Sequence, residues 1–310
     1  MNNKNLKYIT ECKGLPMFFA GYGSKQGVQH ILDNGKLKLF SFMEKSNIEK
    51  HVFGRGHKVF IDSGAFTFWK IKRGLTKASN KVKDMTDEEY LNEYIDYINL
   101  NEDNIILAAQ LDCIPNSKDE EEIQRAADVT WENYLYMRTK VNNPDILLPV
   151  YHIGEDISNL QRMIDFGCEY VALGGLVGKS KRQKEEFLDF VFEHIKNSNN
   201  PNLMTHAFGM TSKELLVKYP FTSCDSTSWM IPGNNGQIAT DLGTFCMIDS
   251  QKNDKKHVDN IRPELRAELE KYVTDRGYTF ELLKNYTQRH LMYLDDIFKW
   301  NENYKYIGKF

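Results

Sequence analysis

Residues 170–210 read YVALGGLVGKSKRQKEEFLDFVFEHIKNSNNPNLMTHAFGM. The stretch begins with an apolar run that is followed by glycines. It ends with a second apolar run that finishes in polar residues and glycine. Between the two runs, Lys181 to Lys196 carries apolar side chains at helical spacing among charged ones. A strand, a helix and a second strand in this order predict a βαβ unit, in which the two strands are parallel.

The same alternation extends over most of the chain. Eight apolar runs follow one another: MFFAGYG (17–23), KLKLFSF (36–42), KVFIDSG (58–64), IILAAQLD (105–112), ILLPVYHIG (146–154), YVALGGLVG (170–178), LMTHAFGM (203–210) and FTSCDSTSW (221–229). Helices are predicted between them at Lys25 to Leu32, Thr86 to Leu100, Lys118 to Val141, Ile157 to Phe166, Lys181 to Lys196 and Ser212 to Lys218. Thr86 and Glu89 have the spacing of a capping box.

Eight strands alternating with helices predict an α/β fold, a (β/α)8 barrel of the TIM type. An open doubly wound sheet is the competing architecture, but no run is followed by the glycine-rich dinucleotide fingerprint of that fold. We expect a single domain over residues 1–310, with strands between roughly 17 and 229. Two further helices, Arg262 to Arg276 and Thr287 to Trp300, are expected to close the barrel from outside.

Composition limits the class of protein. The chain has 310 residues and 41% hydrophobic content, enough for a large core. No apolar stretch approaches the ~18 residues that a membrane span needs, and the N-terminus has no signal-peptide core. We therefore expect a cytoplasmic protein without a membrane partner. The five cysteines are scattered without a C-x-x-C pair, so neither disulfides nor a cysteine-rich zinc site is indicated.

The charge is distributed unevenly. A net charge of −3 gives no general attraction to a polyanion, so contacts with nucleic acid have to come from local patches. The segment from Lys70 to Lys83 contains six basic residues and no acid, and a second basic cluster starts at Lys179. A solvated loop and a basic helix start are the alternative interpretations of these two patches.

The ends of the runs are unusually polar. In a parallel barrel the active site lies at the carboxyl ends of the strands, so Asp62, Asp112 and Asp225 are expected to meet at one mouth. Carboxylates that face one another raise each other's pKa, which suits a general acid or base. For each aspartate alone, a cap on a strand-to-loop turn is the alternative.

Other residues near these ends suit a planar ligand. Gly174 and Gly175 would let such a ligand lie against the backbone, and Phe66, Tyr151, Met210 and Trp229 could stack on a base. Tight turns and core packing are the alternatives for these glycines and aromatic residues. His152 and His206 lie on different strands without the spacing of a metal motif, so no metal site is expected.

The string of strand ends resembles the tRNA-guanine transglycosylases and their DNA-modifying relatives. IDSGAFT (61–67) is similar to the family motif T-D-S-G-G-[FY]-Q, and QLDCIP (110–115) to the segment L-D-x-x-x-P. GGLVGK (174–179) resembles G-G-L-[AS]-V-G-E, HAFGM (206–210) loosely resembles M-G-V-G, and SCDSTSW (223–229) resembles F-D-C-V-x-P-T-R. The five motifs come in the family's order between Asp62 and Trp229.

The departures bear on the substrate. The C-terminal zinc site of the tRNA enzymes has no counterpart in this sequence, the family's I-V-Q-G-G has become VYHIG, and the arginine after the nucleophile is absent. The zinc-free DNA 7-deazaguanine transglycosylases of phages and bacteria are therefore the closest in character.

The resemblance implies an enzyme that replaces guanine in DNA with a 7-deazaguanine of the 7-cyano-7-deazaguanine type, without cofactor or metal. Asp225 would be the nucleophile and Asp62 the proton handler. Substrate contacts are expected from Ser63, Phe66, Asp112, His152, Gly174, Gly175 and Met210, and nucleic-acid contacts from Lys70, Lys72, Arg73, Lys179, Lys181, Arg182 and Trp229.

The expected partners are DNA, favoured over tRNA, and the free base, and a homodimer is one option for the assembly. A tRNA-ribosyltransferase, a base-excising glycosylase and an inactive nucleic-acid-binding barrel remain as alternatives.

Overall fold

The computed structural model describes residues 7–53, 56–210 and 212–310. Its main sheet has nine parallel strands in the order β5-β4-β3-β2-β1-β9-β8-β7-β6. The strands are β1 (Met17–Ala20), β2 (Leu37–Ser41), β3 (Val59–Asp62), β4 (Ile105–Ala109), β5 (Leu147–Leu148), β6 (Val150–His152), β7 (Tyr170–Gly174), β8 (Met204–Ala207) and β9 (Ser223–Ser226). Each of the eight predicted runs contains a strand of this sheet.

Pro149 closes the sheet into a barrel. It joins β5 to β6, which are the two ends of the strand order, so the fifth predicted run forms one strand broken at the proline. Proline has no N–H to donate, but its carbonyl accepts a bond from the Ala172 N–H at 2.8 Å. Leu147 pairs with β4 on one side and Val150 pairs with β7 on the other. The fold is therefore a (β/α)8-like barrel of the TIM type, as the sequence predicts.

The helices surround the barrel. They are α1 (Lys7–Thr10), α2 (Lys25–Asp33), α3 (Lys45–His51), α4 (Ala65–Lys72), α5 (Asn80–Asp84), α6 (Asp87–Leu100), α7 (Glu120–Lys140), α8 (Ile157–Asp165), α9 (Lys181–Asn197), α10 (Lys213–Lys218), α11 (Ile231–Asn234), α12 (Pro263–Thr274) and α13 (Tyr286–Glu302). All six helices predicted between the runs are present. The capping box is confirmed, because the Glu89 N–H donates to Thr86 Oγ1 at 3.1 Å and the Thr86 N–H donates to Glu89 Oε2 at 2.7 Å.

The C-terminal part adds a small layer outside the barrel. An antiparallel hairpin of β10 (Gln237–Thr240) and β11 (Gly243–Cys246) packs with α12 around its own apolar cluster, which includes Ile238, Phe245 and Leu269. The predicted closing helices correspond to α12 and α13. Phe298 on α13 packs edge-on against Phe19 of β1, with ring centroids 5.2 Å apart. No helix in the described ranges has the length and apolar character to span a bilayer.

Strand alternation decides which side chains face the barrel interior. Phe18 of β1 and Phe60 of β3 belong to the interior cluster. Asp62 lies two residues after Phe60 and therefore faces the same way. Asp225 is the register partner of Phe18 in the adjacent parallel strand, so it also faces inward. Both aspartates lie at or next to the carboxyl end of their strand.

Candidate active site at the barrel mouth

Asp62 combines partial burial with neighbouring negative charge. The Gly64 N–H donates to its Oδ2 at 3.1 Å. Burial of the carboxyl group, together with the charges of Asp112 and Asp225, raises the pKa of Asp62 to about 7, although the bond from the Gly64 N–H opposes the rise. A carboxyl group with a pKa near neutrality is suited to both give and take a proton.

Helix α6 holds the end of β3 in place. The Tyr90 hydroxyl donates to the Ser63 carbonyl at 2.7 Å, and the Tyr94 hydroxyl contacts the Ile61 and Ala109 carbonyls at 3.2 and 2.8 Å. Gly64 has a φ of 74°, and a Cβ at this position would lie 2.8 Å from Ser41 Oγ. Only glycine fits both the conformation and the space, which explains the IDSG turn after Asp62.

Asp225 is surrounded by hydrogen-bond donors. It is 6% exposed, and its Oδ1 accepts bonds from the Gly209 N–H at 2.8 Å and from His206 Nε2 at 3.3 Å. Within the described ranges no group donates to Oδ2, and the side chain of Asp225 is 9% exposed. One oxygen of Asp225 is thus held by two donors, while the other has no hydrogen-bond partner in this part of the chain.

Asp112 and His152 form a second polar pair at the mouth. His152 Nε2 lies 3.2 Å from Asp112 Oδ2, and His152 Nδ1 lies 2.7 Å from Glu155 Oε1. Burial lowers the pKa of His152, but the charges and hydrogen bonds of Asp112 and Glu155 outweigh it and raise the pKa well above its ordinary value. The ring is therefore an imidazolium between two carboxylates at neutral pH.

The His152 ring also lies on Gly174. A Cβ on Gly174 would be 2.6 Å from His152 Cδ2, so the missing side chain makes room for the imidazole. In this structure the planar group against Gly174 is the ring of His152, and a base at the predicted position would have to displace or stack on it. Gly175 has a φ of 72° and is exposed beside it.

Several of the residues predicted to contact a base are buried. Ser63 and Tyr151 are each 1% exposed, and the Tyr151 ring stacks on Phe187 inside the core. Trp229 is 1% exposed and its Nε1–H donates to the Ala20 carbonyl at 2.8 Å, while Met210 is fully buried in the layer between barrel and helices. Neither side chain offers a face to a base. Their expected stacking and nucleic-acid contacts are therefore corrected to packing roles.

Helix α4 carries an aromatic and basic surface next to the mouth. Phe66, 53% exposed, stacks on Trp69 with ring centroids 5.8 Å apart. Lys70 Nζ lies 4.2 Å from the Phe66 centroid, and Arg73 Cζ lies 4.2 Å from the Trp69 centroid. We call these four residues the α4 platform. A cavity of about 580 Å³ beside it is lined by Trp69, Arg73 and Asp112, among others.

The other predicted basic residues are engaged within the protein to different degrees. Lys72 Nζ donates to the Lys83 and Met85 carbonyls, each at 2.8 Å, so it fixes the segment before α6. Arg182 pairs with Glu186 at 2.7 Å, and Lys181 pairs with Glu214. Lys179 is exposed after the glycine turn. The charge of the second basic cluster is thus partly compensated by neighbouring acids.

No protein-family model matches this chain, and no curated protein does. The interpretation of the mouth therefore depends on its own geometry. In the parts of the chain that the structure describes, no three His, Cys, Asp or Glu side chains are placed to hold a metal ion together.

Several residues around the aspartates escaped the sequence interpretation. Glu155, Tyr90 and Tyr94 support the predicted site residues, and Ser223 and Tyr170 lie behind Asp225 in the barrel interior. His206 was considered from the sequence only as a possible metal ligand, and no role beside Asp225 was predicted for it. The three-residue spacing of His152 and Glu155 was the one local signal for these contacts. The others depend on strand register or on how α6 packs against the barrel.

Proposed function

We propose that the protein is a base-exchange transglycosylase that replaces guanine in DNA with a 7-deazaguanine of the 7-cyano-7-deazaguanine type. The observation that carries the proposal is the contrast between two aspartates at one barrel mouth. Asp225 has one oxygen held and one unpaired, whereas Asp62 has a pKa of about 7. The five ordered motifs support the same reading of the two residues.

The proposed reaction has two displacements at C1′. Asp225 Oδ2 attacks C1′, the bond from C1′ to N9 breaks, and a covalent glycosyl-enzyme intermediate forms. Asp62 in its acid form gives a proton to the departing guanine. As carboxylate it then takes the ring proton of the incoming base, whose nitrogen attacks C1′ and releases Asp225.

Base recognition is proposed for the pair of Asp112 and His152. A carboxylate accepts hydrogen bonds from the amino and ring N–H groups of a guanine-type base, and an imidazolium donates to its carbonyl oxygen. Gly174 and Gly175 offer backbone groups beside them. A base that enters would exchange part of the contact between His152 and Asp112 for contacts of its own.

The nucleic acid is proposed to approach over the α4 platform. A target base inside a duplex is out of reach of Asp225, so the nucleotide has to leave the stack. Phe66 gives a flat exposed face for a neighbouring base, and Lys70 and Arg73 give positive charge for the phosphates. Lys179 lies at the exposed turn after Gly175 and would add a phosphate contact from another side.

The test is incorporation of a labelled 7-deazaguanine into duplex DNA, single-stranded DNA and tRNA offered separately. We expect label in DNA with the unaltered protein and none with Asp225→Asn, and a strongly reduced rate with Asp62→Asn. Asp103→Asn is a matched control, because Asp103 is exposed at the amino end of β4, opposite the mouth.

Other outcomes assign other functions. Label in tRNA alone would make the protein a tRNA-ribosyltransferase, and abasic sites without added base would make it a glycosylase. Binding of base or DNA with no covalent intermediate under any condition would identify an inactive barrel. Full incorporation by Asp225→Asn would remove Asp225 as the nucleophile.

A further inference from the structure

A chain of hydrogen bonds leads from the middle of the barrel to Asp225. The Tyr170 hydroxyl contacts Ser223 Oγ, Ser223 Oγ lies 2.5 Å from His206 Nδ1, and His206 Nε2 lies 3.3 Å from Asp225 Oδ1. The participants come from three adjacent strands, β7, β8 and β9. The chain stays inside the barrel, because Ser223 and His206 are fully buried and Tyr170 is 6% exposed.

The directions of these bonds follow from the donors at the two ends. Burial raises the pKa of Tyr170, so its hydroxyl carries a proton, and we assign it as the donor to Ser223 Oγ. Ser223 then has its own proton for His206 Nδ1, and His206 keeps a proton on Nε2 for Asp225. In this arrangement each bond of the chain has one donor and one acceptor.

The surroundings of His206 leave it few other orientations. Its ring meets Phe18, Phe60 and Phe208 edge to face, with centroids 5.9, 5.1 and 4.7 Å away. A rotated or flipped imidazole would turn a ring nitrogen toward these aromatic faces and lose its bonds, which is costly in a buried site. The aromatic cage therefore fixes where Nε2 points.

We infer that His206 is a positioning residue that, backed by Ser223 and Tyr170, holds Asp225 Oδ1 so that Oδ2 is presented to the substrate carbon. The inference rests on the proposed function, in which Asp225 is the nucleophile. With the Gly209 N–H, His206 gives Oδ1 two donors, which keep the carboxylate from rotating about its last bond. When Oδ2 is bonded to C1′, Oδ1 is the carbonyl oxygen of the ester, and the same two donors remain on it.

The first experiment measures single-turnover formation of the covalent intermediate on DNA, together with its amplitude and the affinity for DNA. We expect His206→Phe, which fills the cage but has no donor, to slow formation about 10- to 100-fold at unchanged affinity, because a misplaced reacting group loses rates of this order. His206→Gln retains an N–H near the position of Nε2 and should recover part of the rate. A role in packing alone would lower the amplitude and leave the rate constant unchanged.

Two further variants test the rest of the chain. Tyr170→Phe removes the donor to Ser223 and is expected to slow the same step, less than His206→Phe does. Tyr97→Phe is its matched control, since Tyr97 is also buried and its hydroxyl has no partner in the described ranges. Equal rates for Tyr170→Phe and Tyr97→Phe would overturn the part of the inference that extends beyond His206.

The second experiment does not depend on activity. Nitrogen-15 NMR of histidine-labelled protein should show His206 protonated at Nε2 and unprotonated at Nδ1, with the Nδ1 signal shifted in Ser223→Ala. A proton on Nδ1 instead would overturn the inference even if the enzyme is active. If Asp225→Asn abolishes exchange while His206→Phe reacts at the normal rate, the positioning role fails and the proposed function stands. If Asp225→Asn exchanges bases normally, the proposed function fails and the NMR result still decides whether the chain of bonds exists.

Discussion

At the scale of single residues, two aspartates of the mouth owe their different chemistry to their neighbours. Asp62 has one backbone donor and lies among other carboxylates, so its protonated form is favoured. Asp225 has two donors on one oxygen and none on the other within the described ranges. Pairs of carboxyl groups whose environments differ in this way are typical of acid, base and nucleophile assignments in enzymes.

The raised pKa of Asp62 predicts how stability depends on pH. Its folded-state pKa of about 7 lies above the ordinary value of 3.8. Between these two values Asp62 ionises in the unfolded chain but not in the folded protein, so the free energy of unfolding falls as the pH rises. This loss of stability is absent below about pH 4 and complete above about pH 7. We expect Asp62→Asn to be more resistant to urea than the unaltered protein at pH 8, by at most about 4 kcal/mol, and equally resistant near pH 4.

Asp103→Asn is the control for this comparison, because an exposed aspartate at the other end of the barrel should show no such difference at either pH. A stability gain of Asp62→Asn that is the same at pH 4 and pH 8 would contradict the raised pKa.

At the scale of secondary-structure elements, the turn between β3 and α4 places both Asp62 and the α4 platform. The turn depends on Gly64, which combines a positive φ with contacts to Ser41 and Tyr90 on two other elements. Asp62 and the α4 platform therefore depend on the same turn, since only Ser63, Gly64 and Ala65 separate Asp62 from Phe66.

Comparing Gly64→Ala with Gly74→Ala separates the cost of a positive φ from the cost of the crowding around Gly64. Both glycines have a positive φ, 74° and 68°, but a Cβ on Gly74 would meet nothing within 4 Å. We expect Gly74→Ala to cost about 1 kcal/mol of unfolding free energy from the backbone alone. Gly64→Ala should cost about 1–3 kcal/mol more because of the overlap. Urea unfolding measures both, and equal losses would show that the space around Gly64 adapts.

The α4 platform makes a prediction about binding. Phe66→Ala should weaken the affinity for single-stranded DNA by about 1–3 kcal/mol, the usual contribution of one base stacked on an aromatic ring. Phe190→Ala, which removes an equally exposed aromatic residue from α9, should leave it unchanged. Fluorescence anisotropy at fixed salt measures the difference, and a similar loss in both variants would argue against a specific platform.

Sequence patterns differ in how well they predict helices and strands. The strands of the barrel were predictable because they lie in eight short apolar runs, and the helices begin at the N-caps Thr86 and Ser212 as expected. Helix α4 was missed because its apolar residues, Phe66, Phe68, Trp69 and Ile71, fall on several sides rather than one stripe. The hairpin β10–β11 was missed because its strands are short and lie among glycine and asparagine.

Parts of the site were predictable for a similar reason. Asp62, Asp112, His152 and Asp225 come at or near strand ends, and parallel strands bring these ends together. The chain through Tyr170, Ser223 and His206 was not predictable, because it depends on the register of neighbouring strands. Trp229 shows the reverse error, since a residue next to the site along the chain is packed away from it.

At the scale of the whole molecule, closure of the barrel gives the mouth its shape. Asp62 ends β3 and Asp112 follows β4, while His152 and Asp225 belong to β6 and β9, on the other side of Pro149 in the strand order. The net charge of −3 leaves the positive surface concentrated near α4 and the turn after Gly175. If the protein binds nucleic acid as proposed, we expect the attraction to be local to these two regions rather than general.

The break at Pro149 divides one strand of the barrel wall into β5 and β6, and we call this position the seam. Below the mouth, β5 pairs with β4 and β6 pairs with β7, so the ladder of backbone bonds steps from one neighbour to the other at the proline. At the rim, the contact between His152 and Asp112 crosses the same seam and ties its two sides together. A ligand that drew Asp112 away from His152 would remove this link at the break, while the bond from Gln110 Nε2 to the Val150 carbonyl, 3.3 Å long, would still span it.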